Sequence, residues 1–262
     1  MGQKLYQVDS FSTTAFAGNP AGVCVMKAAA PEEWMQNIAA EMNLSETAFL
    51  YPDETGYSLR WFTPRVEVEL CGHATLASAH ILWETGEVDP DDEISFFTLS
   101  GELIADREGE FIRLDFPASA PSEVAAPDGL FEALGVDPLY VGTTRFDYLI
   151  EVASDKIVRG LTPDFGAIAK TTARGVMVTS RSSDSRYDFI SRFFAPAVGI
   201  DEDPVTGSAH CALAPYWRDK IDRDELSAFQ ASKRGGELRL RVIGDRVHLL
   251  GRAVTVFDVS VR

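Results

Sequence analysis

Basic residues are scarce in this chain. Its 24 Lys and Arg stand against 40 Asp and Glu, a formal net charge of −16. Nucleic acid and anionic membrane both need a basic face, so the balance speaks against partners of either kind. Cysteine is scarce too: Cys24, Cys71 and Cys211 form no CxxC pair and are too few for a disulfide scaffold, which fits a reducing compartment. The four histidines lack ligand-like spacing to Cys or His, so no metal is expected. No GxGxxG follows a strand pattern and no GxxxxGK[ST] occurs, so neither a dinucleotide nor an ATP site is indicated and no cofactor is expected. Apolar runs are broken by Gly, Ser or His within about a dozen residues, short of a membrane span. The first residues enter an alternating strand pattern without a basic region and apolar core, so a cytoplasmic location is expected.

What is present is a soluble globular composition, 45% hydrophobic and 24% charged, and an internal repeat. Cys71 to Trp83, CGHATLASAHILW, is echoed by Asp203 to Trp217, DPVTGSAHCALAPYW, and each follows a strand-like stretch, RWFTP from Arg60 and RFFAP from Arg192. Arg60 to Gly72 spans twelve residues and Arg192 to Gly207 fifteen, and the acidic segment Asp201-Glu202-Asp203 is where the three extra residues are expected. With 262 residues the chain is long enough for two ordinary domains, and the repeat favours two similar halves, 1–117 and 118–262, whose final strand is free to cross back to the first. Gly72 and Gly207 each lead a compact apolar segment, which reads as a loop feeding a buried helix. The first N–H groups of such a helix have no internal partner and lie at the positive end of its dipole, so they bind carboxylate without a Lys or Arg. Two of them are expected to face one cleft.

Elsewhere, Leu5 to Asp9 reads as a strand and Gly18 to Gly22 as a turn or loop before the apolar run Val23 to Met26. Trp34, Ile38 and Met42 at four-residue spacing after Pro31 describe an amphipathic helix. Thr47 to Tyr51 and Tyr57 to Thr63 make a hairpin, and Glu93 to Phe97, Glu102 to Arg107 and Phe111 to Phe116 three more strands. Pro117 to Pro127 reads as a linker. A short helix near Leu130 to Leu134 follows, then strands near Tyr148, Val176, Tyr187, Gly236, Val247 and Ala253. Many short strands with one long apolar helix per half predict an α/β (α+β) fold of sheets curled around central helices.

Four motifs in order, NPAGV at 19–23, LSETAFL at 44–50, WFTPRVEVELCGHAT at 61–75 and RFFAPAVGIDEDPVTGSAHCALAPYW at 192–217, resemble the PhzF-like phenazine biosynthesis family, which shares the diaminopimelate epimerase fold. The resemblance spans nearly the whole chain. It implies two pseudo-symmetric domains, each a barrel-like sheet around a helix, with the active site in the cleft between them, and a cofactor-independent isomerase that forms a homodimer. In the family's phenazine enzyme a Glu moves a proton between carbons of trans-2,3-dihydro-3-hydroxyanthranilate, assisted by a His, an Asp and a Ser. Carried over, these roles fall on Glu46, His73, Asp203 and Ser208, and the substrate is expected to be a small cyclic carboxylate. The family often reads AGHPT where this chain has Cys71-Gly72-His73-Ala74-Thr75.

Taken singly, each residue has a plainer reading. Glu46 before an apolar strand is ordinarily a solvated flank, His73 a local hydrogen-bonding group, Asp203 a loop acid and Ser208 a helix-start hydroxyl. In a closed site, however, a carboxylate suits the uptake and return of one proton, and a His at a positive helix end is held neutral. His80 and His210 read as packing residues. Cys71 and Thr206 fill the places where amino-acid racemases of the wider fold carry two thiols, but Thr206 cannot be a thiolate, so an epimerase or a dehydratase of the proline racemase type is the alternative chemistry. A small buried Cys without chemical duty is the reading favoured for Cys71. A carboxylate-binding protein without turnover is the reading from another class.

Overall fold

The computed structural model describes residues 3–171 and 174–261. The architecture is mixed α/β and dominated by sheet. Two compact units divide the chain, one of residues up to Phe116 together with those from Leu250 onward, the other of Pro117–Leu249.

The first unit opens with β1 (Gln3–Ser10) and β2 (Asn19–Val25), followed by α1 (Glu32–Met42), β3 (Glu46–Asp53), β4 (Gly56–Phe62), the short β5 (Glu67–Val68) and α2 (Gly72–Glu84). β6 (Ile94–Thr98), β7 (Gly101–Glu108) and β8 (Phe111–Pro117) form an antiparallel meander. β1 pairs antiparallel with β2 and with the C-terminal strand Ala253–Val261, which thus belongs to the first unit. β2 runs parallel to β3, which forms a hairpin with β4. Ten residues of α2 between His73 and Trp83 are buried, on every face, as expected of a helix that is apolar all round. It packs on β1, β2, β3 and the C-terminal strand. α1 is amphipathic, with Met35 and Ala39 buried and Trp34, Ile38 and Met42 packed beside them on Phe49 and Phe62.

One sequence reading is overturned here. The stretch from Gly18 to Gly22 is not a loop, since β2 starts at Asn19. Gly22 sits in the strand because of close strand approach: a Cβ there would lie 2.8 Å from Thr47 Oγ1 on β3. Glycine here is a packing residue, not a turn residue.

The second unit contains β9 (Ser122–Glu123), α3 (Leu130–Leu134), β10 (Tyr140–Thr143), β11 (Asp147–Glu151), α4 (Asp155–Gly160), α5 (Phe165–Ile168), β12 (Gly175–Arg181), β13 (Phe189–Ala195), β14 (Ile200–Asp203), α6 (Gly207–Ile221), β15 (Glu225–Gln230), β16 (Gly236–Ile243) and β17 (Arg246–Gly251), the end of which passes into the first unit. β11 and β12 are parallel, as are β13 and β15. β12 with β13, β13 with β14 and β15 with β16 are antiparallel. α6 carries Pro215, which has no N–H to give to the carbonyl of Cys211 four residues back. The Ser119 amide donates to that carbonyl instead, at 2.9 Å. The proline-rich run from Pro117 is therefore not a free linker: it completes a helix, and through β9 it also pairs with β10.

The repeat is structural as well as textual. Arg60 on β4 grips Glu67 with two hydrogen bonds, at 2.6 and 2.7 Å, and lies over Phe62. Arg192 on β13 grips Glu202 in the same way, at 2.6 and 2.9 Å, and lies over Phe194. Trp61 pairs with Val68 and Phe193 with Asp203. From the paired Glu to the helix-leading Gly the distance is five residues in both copies, whereas from Arg to Glu it is seven in one and ten in the other. The three extra residues therefore precede Glu202, at the tight 3-10 turn Pro196–Val198, and not in the acidic segment. In this alignment Val68 matches Asp203, Cys71 matches Thr206 and His73 matches Ser208, so the chemical asymmetry comes from substitution, not insertion.

Candidate active site

In the first unit, β3 begins with Glu46, set beside Ala21 of β2 by the parallel register. Cys71 is the N-cap of α2, and the helix starts with Gly72, so His73 is its second residue. The Thr75 hydroxyl donates to the Cys71 carbonyl at 2.6 Å, Ser78 to Ala74 at 2.7 Å, and Ser10 on β1 to the His73 carbonyl at 2.7 Å. These bonds satisfy the small polar residues inside an otherwise apolar helix and lock its first turn onto β1.

His73 projects from that turn between two groups. Its Nδ1 is 3.5 Å from the Cys71 sulfur, and its Nε2 is 3.4 Å from Glu46 Oε2. The carboxylate is within ion-pair range but off the line of a hydrogen bond, and Nε2 is buried without a hydrogen-bond partner. The imidazole is 7% exposed and the Glu46 side chain 14%. Burial alone pushes the His73 pKa down to about 4, so the ring is neutral at physiological pH. Desolvation, and not the positive helix end expected from the sequence, makes the ring neutral.

Glu46, Cys71 and His73 are also a group whose ligand atoms lie within 4.8 Å of one another. Three such groups are one short of the closed four-ligand set of a structural zinc site.

In the second unit, Asp203 ends β14 and Thr206 is the N-cap of α6. The Thr206 hydroxyl donates to Asp203 Oδ2 at 2.5 Å. Gln230, at the end of β15, accepts from the Thr206 amide at 2.8 Å and donates to the Asp203 carbonyl at 2.7 Å, so one buried amide side chain fixes this turn. Ser208 is exposed, unlike its neighbours in α6, and its hydroxyl oxygen accepts from Arg174 at 3.1 Å. Arg174 is in turn held in a two-point ion pair by buried Asp147 and lies over Phe146 and Phe193. A cation thus stands at the start of α6, beside the backbone amides expected to bind a carboxylate.

Gln230, Arg174 and Asp147 were not singled out from the sequence. They lie 24, 34 and 61 residues from the groups they serve, Thr206 for the first and Ser208 for the other two, and no local pattern links them. His80 bonds Thr255 at 3.1 Å and His210 the Thr206 carbonyl at 2.8 Å, which accounts for both as packing residues.

The chain matches the phenazine biosynthesis-like protein family, PhzC-PhzF, over residues 8–259. It is 56% identical over 253 residues to an uncharacterized isomerase of Halalkalibacterium halodurans, with 96% of each chain covered. A crystal structure of a phenazine biosynthesis protein of the PhzF family from Enterococcus faecalis superposes with a TM-score of 0.96 at 40% identity, covering all of both chains. A probable proline racemase from Agrobacterium radiobacter, 12% identical, shares the fold at a TM-score of 0.65 over 99% of this chain and 93% of that one. The chain belongs to the phenazine biosynthesis-like PhzC-PhzF family and is an enzyme of its isomerase kind.

Proposed function

We propose that this isomerase moves a proton between carbons of a small cyclic carboxylate, without a cofactor, and that Glu46 is the group that takes the proton and returns it. The observation that carries the reading is the Glu46 carboxylate, nearly out of solvent and 3.4 Å from a buried, neutral imidazole. A positioned carboxyl group can act first as base and then as acid, which is what a proton shift on one substrate demands. His73, being neutral, places an N–H or a lone pair against the carboxylate or the substrate and adds no permanent charge.

Asp203 and Ser208 are assigned to the substrate's polar groups. Asp203 is held in one orientation by the Thr206 hydroxyl. Because the Ser208 oxygen accepts from Arg174, its own O–H is left to donate outward. The backbone at Gly72-His73 and at Gly207-Ser208 is assigned to the carboxylate, since neither N-cap side chain accepts from its helix's first turn. A cytoplasmic location is part of the same proposal, as is a homodimer, which the family resemblance implies. The thiol alternative is disfavoured because Thr206, the counterpart of Cys71, spends its hydroxyl proton on Asp203.

The test is incubation in heavy water, without added cofactor, with trans-2,3-dihydro-3-hydroxyanthranilate and a panel of cyclic amino and hydroxy carboxylic acids. An isomer with its migrated C–H, partly deuterated, is expected from at least one. Calorimetric binding of a panel member with no isomer from any of them would make the chain a binding protein.

A further inference from the structure

Cys71 is the one member of the first unit's cluster that the proposed chemistry leaves without a role. We infer that Cys71 is a positioning residue, whose S–H donates to Nδ1 of His73 and holds the imidazole as the Nε2–H tautomer facing Glu46. The mechanistic consequence rests on the proton-transfer reading above, but the tautomer itself does not.

The geometry leads there from both sides of the ring. A neutral imidazole has one N–H and one bare nitrogen, and its neighbours decide which is which. On the Nε2 side stands a carboxylate oxygen at 3.4 Å, not aligned for a hydrogen bond but near enough that its charge, when ionised, favours a proton on Nε2. On the Nδ1 side stands the Cys71 sulfur at 3.5 Å, a weak donor that suits a bare nitrogen. The two preferences agree. The ring has no room to swing away to other partners, because the backbone of α2 is pinned at His73 by Ser10 and the side chain is only 7% exposed.

In the catalytic cycle the consequence is directional. With Glu46 ionised, Nε2–H steadies the base. Once Glu46 has taken the substrate proton it has less need of that donor, and the same N–H then favours return of the proton. Removing the thiol leaves a lone pair buried on Nδ1 without a donor and lets the ring exchange tautomers. One net hydrogen bond is worth about 1 kcal/mol, which corresponds to a tautomer ratio changed roughly 5- to 10-fold.

The experiment is a long-range 1H–15N spectrum of the histidine side chains in the ligand-free protein, with the His73 signals assigned by their loss in His73→Gln. In the parent, Nε2 should be protonated and Nδ1 bare. Cys71→Ala should show the two tautomers mixed, whereas Cys71→Ser, whose hydroxyl can donate from nearly the same place, should restore the parent pattern. Thermal melts of both variants separate this from general loss of structure. A parent protein with the proton on Nδ1, or a folded Cys71→Ala with an unchanged spectrum, overturns the inference. Should Cys71→Ala fail to fold, the parent and Cys71→Ser spectra decide it. None of these outcomes depends on turnover, so the proposal about Glu46 stands or falls separately.

Discussion

His73 Nε2 lies 3.4 Å from Glu46 Oε2, with both side chains largely out of solvent, while Nδ1 of the same ring faces the Cys71 sulfur. A neutral, locked ring beside a carboxylate is a fitting partner for a group that must hold a proton and give it up, because it offers orientation without a competing charge. Several measurable consequences attach to this arrangement and to its supports.

Burial lowers the pKa of His73, and of His210, from an ordinary 6.5 to about 4. Between these values the unfolded chain binds more protons than the folded one, so stability rises with pH from about 4 to about 6.5 and these histidines add no slope above that. The urea midpoint should fall as the solution is acidified through this window. His210→Gln should reduce the slope by close to one proton. An unchanged slope would contradict the desolvation argument.

Gly22 faces Thr47, the neighbour of Glu46, with no room for a Cβ. Gly22→Ala should cost about 1–3 kcal/mol, the usual range for overpacking, and should lower turnover by displacing the start of β3. Chemical denaturation measures the first effect and a rate assay the second. A variant as stable as the parent would show that β2 and β3 separate freely.

Asp147 is buried and meets Arg174 through two hydrogen bonds. Arg174→Gln should cost up to about 3 kcal/mol, the low end for breaking a buried pair because the guanidinium is partly exposed. Asp147→Asn combined with Arg174→Gln should recover much of that loss. Strict additivity of the two changes would mean that the pair is not coupled.

The repeat was legible because both copies keep the same strand, turn and helix, and the two Arg–Glu grips explain why: each ties its strand to the turn that leads into the helix. Periodicity also located α1, α2, α6 and the β3–β4 hairpin, since apolar faces must be buried in register. Pro20 and Gly22 misled, because these residues mark turns in isolation and only the proximity of Thr47 shows a strand. Pro117 to Pro127 misled for a related reason, its amide partner lying on α6, nearly a hundred residues away. The side-chain supports Gln230, Arg174 and Asp147 were invisible, being long-range hydrogen bonds without a spacing rule. Cys71, read from the sequence as plain packing, proves to contact the catalytic candidate His73 directly.

The most direct test of the account compares Glu46→Gln with Cys71→Ala on whichever panel carboxylate the parent isomerises fastest, with binding measured separately by calorimetry. Glutamine keeps the shape of Glu46 and removes the proton carrier. The account predicts near-normal binding with turnover lowered by a factor on the order of 10² to 10⁴ for Glu46→Gln, the usual contribution of a positioned acid–base group. It predicts a loss of no more than about 10-fold for Cys71→Ala, matching one hydrogen bond. A Glu46→Gln enzyme that turns over at nearly the parent rate beside an inactive Cys71→Ala enzyme would contradict it and assign the chemistry to the thiol.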